Sequence, residues 1–247
     1  MSKSIEELDF RRTKLGDITL RRRRSPSLQG EEIYEVILNN EFLMSSVVNA
    51  SEIALAKIGL SGLGDGPLDV VVGGLGLGYT AQAALEFSSV RSVTVIEYLP
   101  EVIGWHRQGV VPLGPTLCGD RRCKIVEADF FGLMRYEADH LDPDHPEKKY
   151  HAVLVDIDHS PRSFLHPDHG GFYYPEGLQR LIRHLHPGGV FALWSAEKID
   201  DAFQALFNQV FAGIESHEVN FYNPVLDVKE TNTLYIATAE EASSPEP

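Results

Sequence analysis

Two aspartates and a histidine follow one apolar segment closely enough to act on the same small molecule. Asp156, Asp158 and His159 come directly after residues 152–155, which read Ala-Val-Leu-Val. A carboxylate beside an amine can orient it and accept its proton. Such help matters because an alkylamine with a pKa near 10.4 is less than about 0.1% neutral at pH 7. The segment predicts a proton acceptor: Asp156 first, Asp158 second, and His159 as a base, a proton relay or a purely structural residue.

A glycine-rich turn after another apolar run predicts a place where the backbone approaches a ligand. The turn follows residues 69–72 and contains Gly73, Gly74, Gly76 and Gly78. Glycine lets the main chain come close to a ligand that side chains would exclude. Glu97 ends the next apolar run and follows about 20 positions later, a spacing that suits two hydrogen bonds to a ribose diol. Glu97, with the adjacent Tyr98, is therefore predicted to hold a nucleoside.

The elements that must position these residues alternate between strands and helices. Strands are predicted over 69–73, 93–97, 124–127, 152–156 and 189–195, with helices near 52–60, 79–87, 100–107, 175–186 and 199–213. Two further strands, 216–222 and 231–238, follow without a helix between them. This order predicts an α/β fold with a mostly parallel sheet, and the ligand is expected at the carboxyl ends of its strands.

Domain limits follow from the same pattern. Short strands with turn signals predict a small N-terminal β appendage over 1–50, a Rossmann-like domain over 51–239 and a polar, disordered tail over 240–247. Arg21–Arg24 lie in the appendage, and we expect them to form a charged row on an exposed sheet rather than an anion site. In the third strand–loop junction, Asp129 is predicted to accept a hydrogen bond from adenine, with Phe130 covering the ring; the alternative is a helix cap.

Composition excludes several classes of function. The 247 residues carry a formal net charge of −14, which disfavours nucleic acid as a partner. No apolar run approaches the roughly 20 residues that cross a bilayer, and the amino terminus lacks a signal-peptide core, so a cytoplasmic protein without membrane contact is expected. The two cysteines, Cys118 and Cys123, do not have zinc-site spacing.

The motifs resemble known families. The spacing of Gly74, Gly76 and Gly78 resembles the first motif of S-adenosylmethionine-dependent transferases. Residues 95–103, Val-Ile-Glu-Tyr-Leu-Pro-Glu-Val-Ile, resemble the ribose-binding stretch of the spermidine synthase family, and Asp156–Pro161 resembles the loop that holds that family's catalytic acid. This resemblance covers roughly residues 30–195. It implies a methyltransferase-type fold with a seven-stranded sheet, S-adenosylmethionine or its decarboxylated form as co-substrate, and a homodimer.

Departures from that family bear on the acceptor. Leu75 and Gly76 replace part of the family's glycine turn, and the acid loop is one residue longer. The family's acidic pocket residues after the N-terminal strands are depleted here, where residues 38–52 read Leu-Asn-Asn-Glu-Phe-Leu-Met-Ser-Ser-Val-Val-Asn-Ala-Ser-Glu. The sequence therefore slightly favours methyl transfer to a small, cationic acceptor over aminopropyl transfer. A nucleoside-binding homologue without catalysis is the second alternative.

The loop after the acids allows two further interpretations. Tyr173 and Tyr174 could surround an amine through cation–π contacts, or fill the gap between loop and sheet. Six carboxylates and imidazoles fall between positions 156 and 169, and such groups can bind Zn, Fe or Mn. Their spacing matches no compact ligand motif, so no metal is expected.

Overall fold

Residues 5–45 form a four-stranded antiparallel sheet in the computed structural model, which describes residues 5–136 and 140–240. Its strands are β1 (Ile5–Thr13), β2 (Gly16–Ser25), β3 (Glu31–Leu38) and β4 (Glu41–Ser45). Ile18 and Leu20 alternate with polar residues on β2 and are buried, as expected for a sheet with one face on a core. This sheet is the predicted β appendage.

Arginines of β2 form ion pairs with glutamates of the neighbouring strands β1 and β3. Arg21 and Arg23 donate to the buried Glu35, while Arg22 donates to Glu6 and Glu32, and Arg24 to Glu32. The four guanidinium groups are thus paired with three carboxylates on neighbouring strands. The row Arg21–Arg24 forms part of a charged sheet surface.

The second sheet has seven strands in the order β10-β11-β9-β8-β5-β6-β7. The strands are β5 (Leu68–Gly73), β6 (Val90–Glu97), β7 (Cys123–Glu127), β8 (Tyr150–Val155), β9 (Leu185–Ser195), β10 (Gly213–Asn223) and β11 (Val228–Thr238). β5 to β9 pair in parallel, and the β10–β11 hairpin joins β9 antiparallel. The predicted α/β fold class, a mostly parallel seven-stranded sheet with an N-terminal β appendage, is confirmed.

Seven helices accompany this sheet in the described residues. They are α1 (Ala50–Ser61), α2 (Tyr79–Leu85), α3 (Pro100–Arg107), α4 (Gly114–Gly119), α5 (Phe130–Arg135), α6 (Pro175–Ile182) and α7 (Asp201–Phe207). The sequence did not predict α4 or α5, each of six residues, because so short a helix shows no clear periodicity. α7 ends at Phe207, six residues before the predicted 213.

The appendage packs directly on the larger sheet's helices. Ile18 and Leu20 belong to the same buried cluster as Leu55 of α1 and Trp105 of α3. The indole nitrogen of Trp105 also donates to Asp9 of β1 at 2.8 Å. The appendage therefore forms a fixed wall beside the carboxyl ends of β5 and β6.

No helix among the described residues is long and apolar enough to cross a membrane. The predicted disordered tail lies outside the described residues, apart from Glu240, whose carbonyl accepts from the Gly188 amide.

Candidate active site

A cleft between the appendage and the strand ends contains two adjoining cavities. The first cavity comprises about 720 Å³ of space and the second about 560 Å³, both volumes including space open to solvent. Both are lined by Leu43, Met44, Gly76, Asp156 and Ile157. Because Asp156 lines both, it stands at the boundary where a molecule in one cavity would meet a molecule in the other.

The glycine turn follows β5 and crosses this boundary. Gly74 has φ of +92°, and a Cβ there would overlap the carbonyl oxygen of Asp156. A Cβ at Gly76 would lie 2.7 Å from the sulfur of Met44. Only glycine allows both approaches without displacing a neighbour. The turn thus packs between the loop Asp156–Pro161 (the acid loop) on one side and Met44 of β4 on the other.

The carboxyl-terminal end of the turn, at Gly76 and Gly78, contacts residues of α3 and α4. A Cβ on Gly78 would lie 2.5 Å from Leu117 and 3.1 Å from the His106 ring, so close packing on these helices requires glycine there. His106 Nε2 lies 2.9 Å from the carbonyl of Gly76. Burial lowers the pKa of His106, so the neutral ring donates this hydrogen bond. Gly76 and Gly78 line the second cavity.

Glu97 ends β6 and lines the first cavity with Tyr98. Its carboxylate accepts from the backbone amides of Leu75 at 2.9 Å and Leu99 at 2.7 Å. Burial raises the pKa of Glu97, and the backbone donors partly offset that effect. Glu97 therefore connects the glycine turn to the β6–α3 junction through hydrogen bonds to Leu75 and Leu99.

Asp129 and Phe130 also line the first cavity. Asp129 caps α5 by accepting from the amide of Gly132 at 2.9 Å. The Phe130 ring packs against Gly73, where a Cβ would lie 3.2 Å from it. The cap and the predicted adenine contact are compatible, because one carboxylate oxygen of Asp129 serves the cap and the other has no hydrogen bond to a described residue.

Asp156 accepts a hydrogen bond from the Thr80 hydroxyl at 2.7 Å. Burial raises its pKa to about 6, against the lowering effect of that hydrogen bond. Glu52, in the first turn of α1, lines the second cavity beside Asp156. Burial and the charge of Asp156 raise the pKa of Glu52 to about 7. Near neutral pH this acidic pair therefore retains part of one proton.

The sequence did not predict Glu52 as a residue of the site. The Thr80 hydroxyl donates to Asp156, and its oxygen lies 3.4 Å from the main-chain carbonyl of Glu52. Thr80 is on α2, which packs against α1. No local motif marks this contact, because three separate elements create it.

Asp158 does not line either cavity. It is 2% exposed and accepts from the Leu165 amide, His169 Nδ1 and the Tyr173 hydroxyl, at 2.8, 2.8 and 2.9 Å. These three hydrogen bonds fix the acid loop on the side that does not line the cavities. His159 lines the second cavity, and its carbonyl accepts from Ala196 at 2.8 Å.

The structure does not bring Tyr173 and Tyr174 to the cleft. Tyr173 is buried and stacks on Phe164 with ring centroids 5.4 Å apart, whereas Tyr174 is 59% exposed. Both line a separate groove with Phe203. In the described part of the chain, no group of three or more His, Cys, Asp or Glu residues is arranged to hold a metal ion.

The cleft is acidic. Its linings contain four carboxylates, those of Glu52, Glu97, Asp129 and Asp156, and no lysine or arginine among the described residues. The indole nitrogen of Trp194, which lines the second cavity, is buried without a hydrogen-bond partner in the described residues. Such a cleft favours cationic ligands over anionic ones.

Comparison with protein-family models gives no match, and comparison with curated protein sequences gives none either. Among solved structures, a spermidine synthase in complex with the transition state analogue AdoDATO superimposes with a TM-score of 0.69 at 19% identity, over 94% of this chain and 73% of that chain. The spermidine synthase from Thermotoga maritima gives a TM-score of 0.67 at 18% identity, over 94% and 72%. The chain therefore has the fold of the spermidine synthases.

Proposed function

We propose that this protein transfers an aminopropyl group from decarboxylated S-adenosylmethionine to an amine. The observation that carries the proposal is the position of Asp156 at the boundary of two cavities, beside the second acid Glu52. One cavity suits a nucleoside, and the other suits a cation. A proton acceptor between them is where a transfer reaction needs it.

The first cavity would hold the nucleoside. Glu97 would accept hydrogen bonds from the ribose diol, and Tyr98 lies next to it. Asp129 would accept from the adenine amine while Phe130 covers the ring. The turn from Gly73 to Gly78 would let the sulfonium approach Asp156, because glycines leave the backbone uncovered.

The second cavity would hold the amine acceptor. Its lone pair would attack the aminopropyl carbon bonded to sulfur, so that a C–N bond forms and the C–S bond breaks. The bonding electrons neutralise the sulfonium and leave 5′-methylthioadenosine, and the amine's surplus proton passes to Asp156. The raised pKa of Asp156, about 6, makes it a stronger base than an exposed aspartate while leaving it mostly ionised at pH 7.

The charge of the cleft favours one of the two possible donors. Intact S-adenosylmethionine carries a carboxylate, which would meet four acids and no lysine or arginine in the described linings. The decarboxylated form has only cationic groups on its side chain, which these acids favour. The charge of the cleft thus supports aminopropyl transfer over the methyl transfer that the sequence slightly favoured. The fold of spermidine synthases, one of them bound to a transition state analogue, supports the same choice.

The test is product analysis with both donors. The protein would be incubated with decarboxylated S-adenosylmethionine or with S-adenosylmethionine, each with a series of mono- and diamines, and products identified by mass spectrometry. We expect 5′-methylthioadenosine and an aminopropylated amine from the first donor. Methylated amine from the second donor would contradict the proposal, and no product from either would favour a non-catalytic nucleoside-binding protein.

Matched substitutions assign the base. Asp156→Asn is expected to lower the transfer rate by about 10²- to 10⁴-fold while nucleoside affinity changes little. Asp168→Asn is the control, since Asp168 is exposed on the same loop, pairs with Arg135 and lines neither cavity. Equal rates in the two variants would exclude Asp156 as the proton acceptor.

A further inference from the structure

His169 reaches the first cavity from a segment that the motifs did not connect with nucleoside binding. It belongs to the 3-10 helix Pro167–Tyr173, is 6% exposed and lines this cavity. Its ring stacks on Phe131, with centroids 4.1 Å apart and planes inclined by 25°. Because Phe131 follows Asp129 and Phe130 in the chain, His169 lies at the end of the cavity proposed to hold adenine.

The hydrogen bonds of Asp158 fix the tautomer of His169. The Leu165 amide and the Tyr173 hydroxyl both donate to Asp158, which is therefore an acceptor on both oxygens. His169 Nδ1, 2.8 Å from the same carboxylate, must carry the proton. In the neutral ring Nε2 then holds a lone pair. It makes no hydrogen bond to any described residue and is left to accept one from a ligand.

We propose that His169 Nε2 and Asp129 together read the 6-amino group of adenine, so that the site selects 6-aminopurines over 6-oxopurines. This inference rests on the nucleoside-dependent function proposed above. An exocyclic amine has two N–H donors, one for each acceptor. A 6-oxo group offers only lone pairs there and leaves both acceptors unpaired, which lowers affinity by about 10- to 100-fold.

Asp158 lines neither cavity, and its role in this proposal is to hold His169. By accepting a hydrogen bond from Nδ1–H, Asp158 fixes the tautomer and the angle of the His169 ring, while Phe131 supports the ring face. Asp158 acts here as a positioning residue for base recognition.

The experiment is calorimetric titration with 5′-methylthioadenosine and 5′-methylthioinosine. The variant is His169→Asn, because the asparagine amide nitrogen can donate to Asp158 as Nδ1 does, while nothing replaces Nε2. The control is His166→Asn: His166 lines neither cavity and accepts from the Asp168 amide, which asparagine also can do. We expect the wild type and His166→Asn to prefer the adenine nucleoside by at least about tenfold, and His169→Asn to lose at least about fivefold of that preference.

Three results would overturn the inference. If the wild type binds both nucleosides equally, base selection fails, and this result does not depend on how the variant folds. If His169→Asn keeps the full preference, another group reads the base; in both cases binding of 5′-methylthioadenosine leaves the proposed function intact. If the wild type binds neither nucleoside, the inference and the proposed function both fall.

Discussion

Glu52 and Asp156 line the same cavity, and burial together with the charge of Asp156 raises the pKa of Glu52. Glu52 lies in the first turn of α1, and Asp156 directly follows β8 and accepts from the Thr80 hydroxyl of α2. Two neighbouring carboxylates that cannot both ionise freely form a site that attracts a cationic amine and can take up its proton.

The pH dependence of the transfer rate should follow the ionisation of the Asp156 carboxyl. Its pKa is raised to about 6, so below that pH the carboxyl is protonated and cannot accept a proton from the amine. We expect kcat to fall about tenfold per pH unit below about pH 6, rather than below the ordinary aspartate range near 3.9. Initial rates at saturating substrate across pH 4.5–8 would show this limb. A rate that stays constant down to about pH 4.5 would contradict it.

Glu52 should lower the stability of the folded chain at neutral and alkaline pH. Its pKa is about 7 when folded and near 4.5 when unfolded, so the folded state binds the extra proton between these values. Stability therefore falls as pH rises from about 4.5 to about 7. Glu52→Gln is expected to raise the free energy of unfolding by about 1–2 kcal/mol at pH 8 and to leave it unchanged at pH 4.

Urea denaturation at both pH values measures this effect. Glu147→Gln is the control, because Glu147 is exposed and is expected to change stability by less than about 0.5 kcal/mol at either pH. A loss of stability on Glu52→Gln at pH 8 would show that the carboxylate is favourably bound.

The glycine turn should tolerate no side chain at Gly74. With φ of +92° and the Asp156 carbonyl in the way, Gly74→Ala would strain the turn and displace the acid loop. We expect a loss of about 1–3 kcal/mol in stability together with a loss of transfer activity. Gly64→Ala is the matched control, since a Cβ there meets nothing within 4 Å. Thermal unfolding and activity assays would compare the two variants. Equal stability and activity in Gly74→Ala and Gly64→Ala would refute the close approach of Gly74 to the Asp156 carbonyl.

Tyr173 should support structure without contacting the amine. Tyr173→Phe removes the hydroxyl that donates to Asp158 and leaves one of its buried oxygens unpaired. The expected cost is about 1–3 kcal/mol of stability, with KM for the amine unchanged. Steady-state kinetics and chemical denaturation test both parts. A large rise in KM without loss of stability would instead favour the cation–π role suggested by sequence.

Much of the fold could be predicted from the sequence because β5, β6 and β8 are short apolar runs. Glu97 ends β6, Asp156 directly follows β8, and Asp129 lies two residues after the end of β7; parallel strands bring these carboxyl ends to one edge of the sheet. The sequence did not predict the positions of residues that do not lie at the ends of these strands. Glu52 joins the site through helix packing, and Tyr173 turns inward because Asp158, also buried, accepts its hydroxyl. Neither contact leaves a periodic signal in the sequence.

The measurement that tests the central claim most directly is calorimetric affinity for decarboxylated S-adenosylmethionine and S-adenosylmethionine, side by side. We expect the decarboxylated form to bind at least about tenfold more tightly, a difference of about 1.4 kcal/mol, because the cleft's acids disfavour the methionine carboxylate. Tighter binding of intact S-adenosylmethionine would contradict the account and point to methyl transfer. Binding of neither would show that the first cavity is not a nucleoside site.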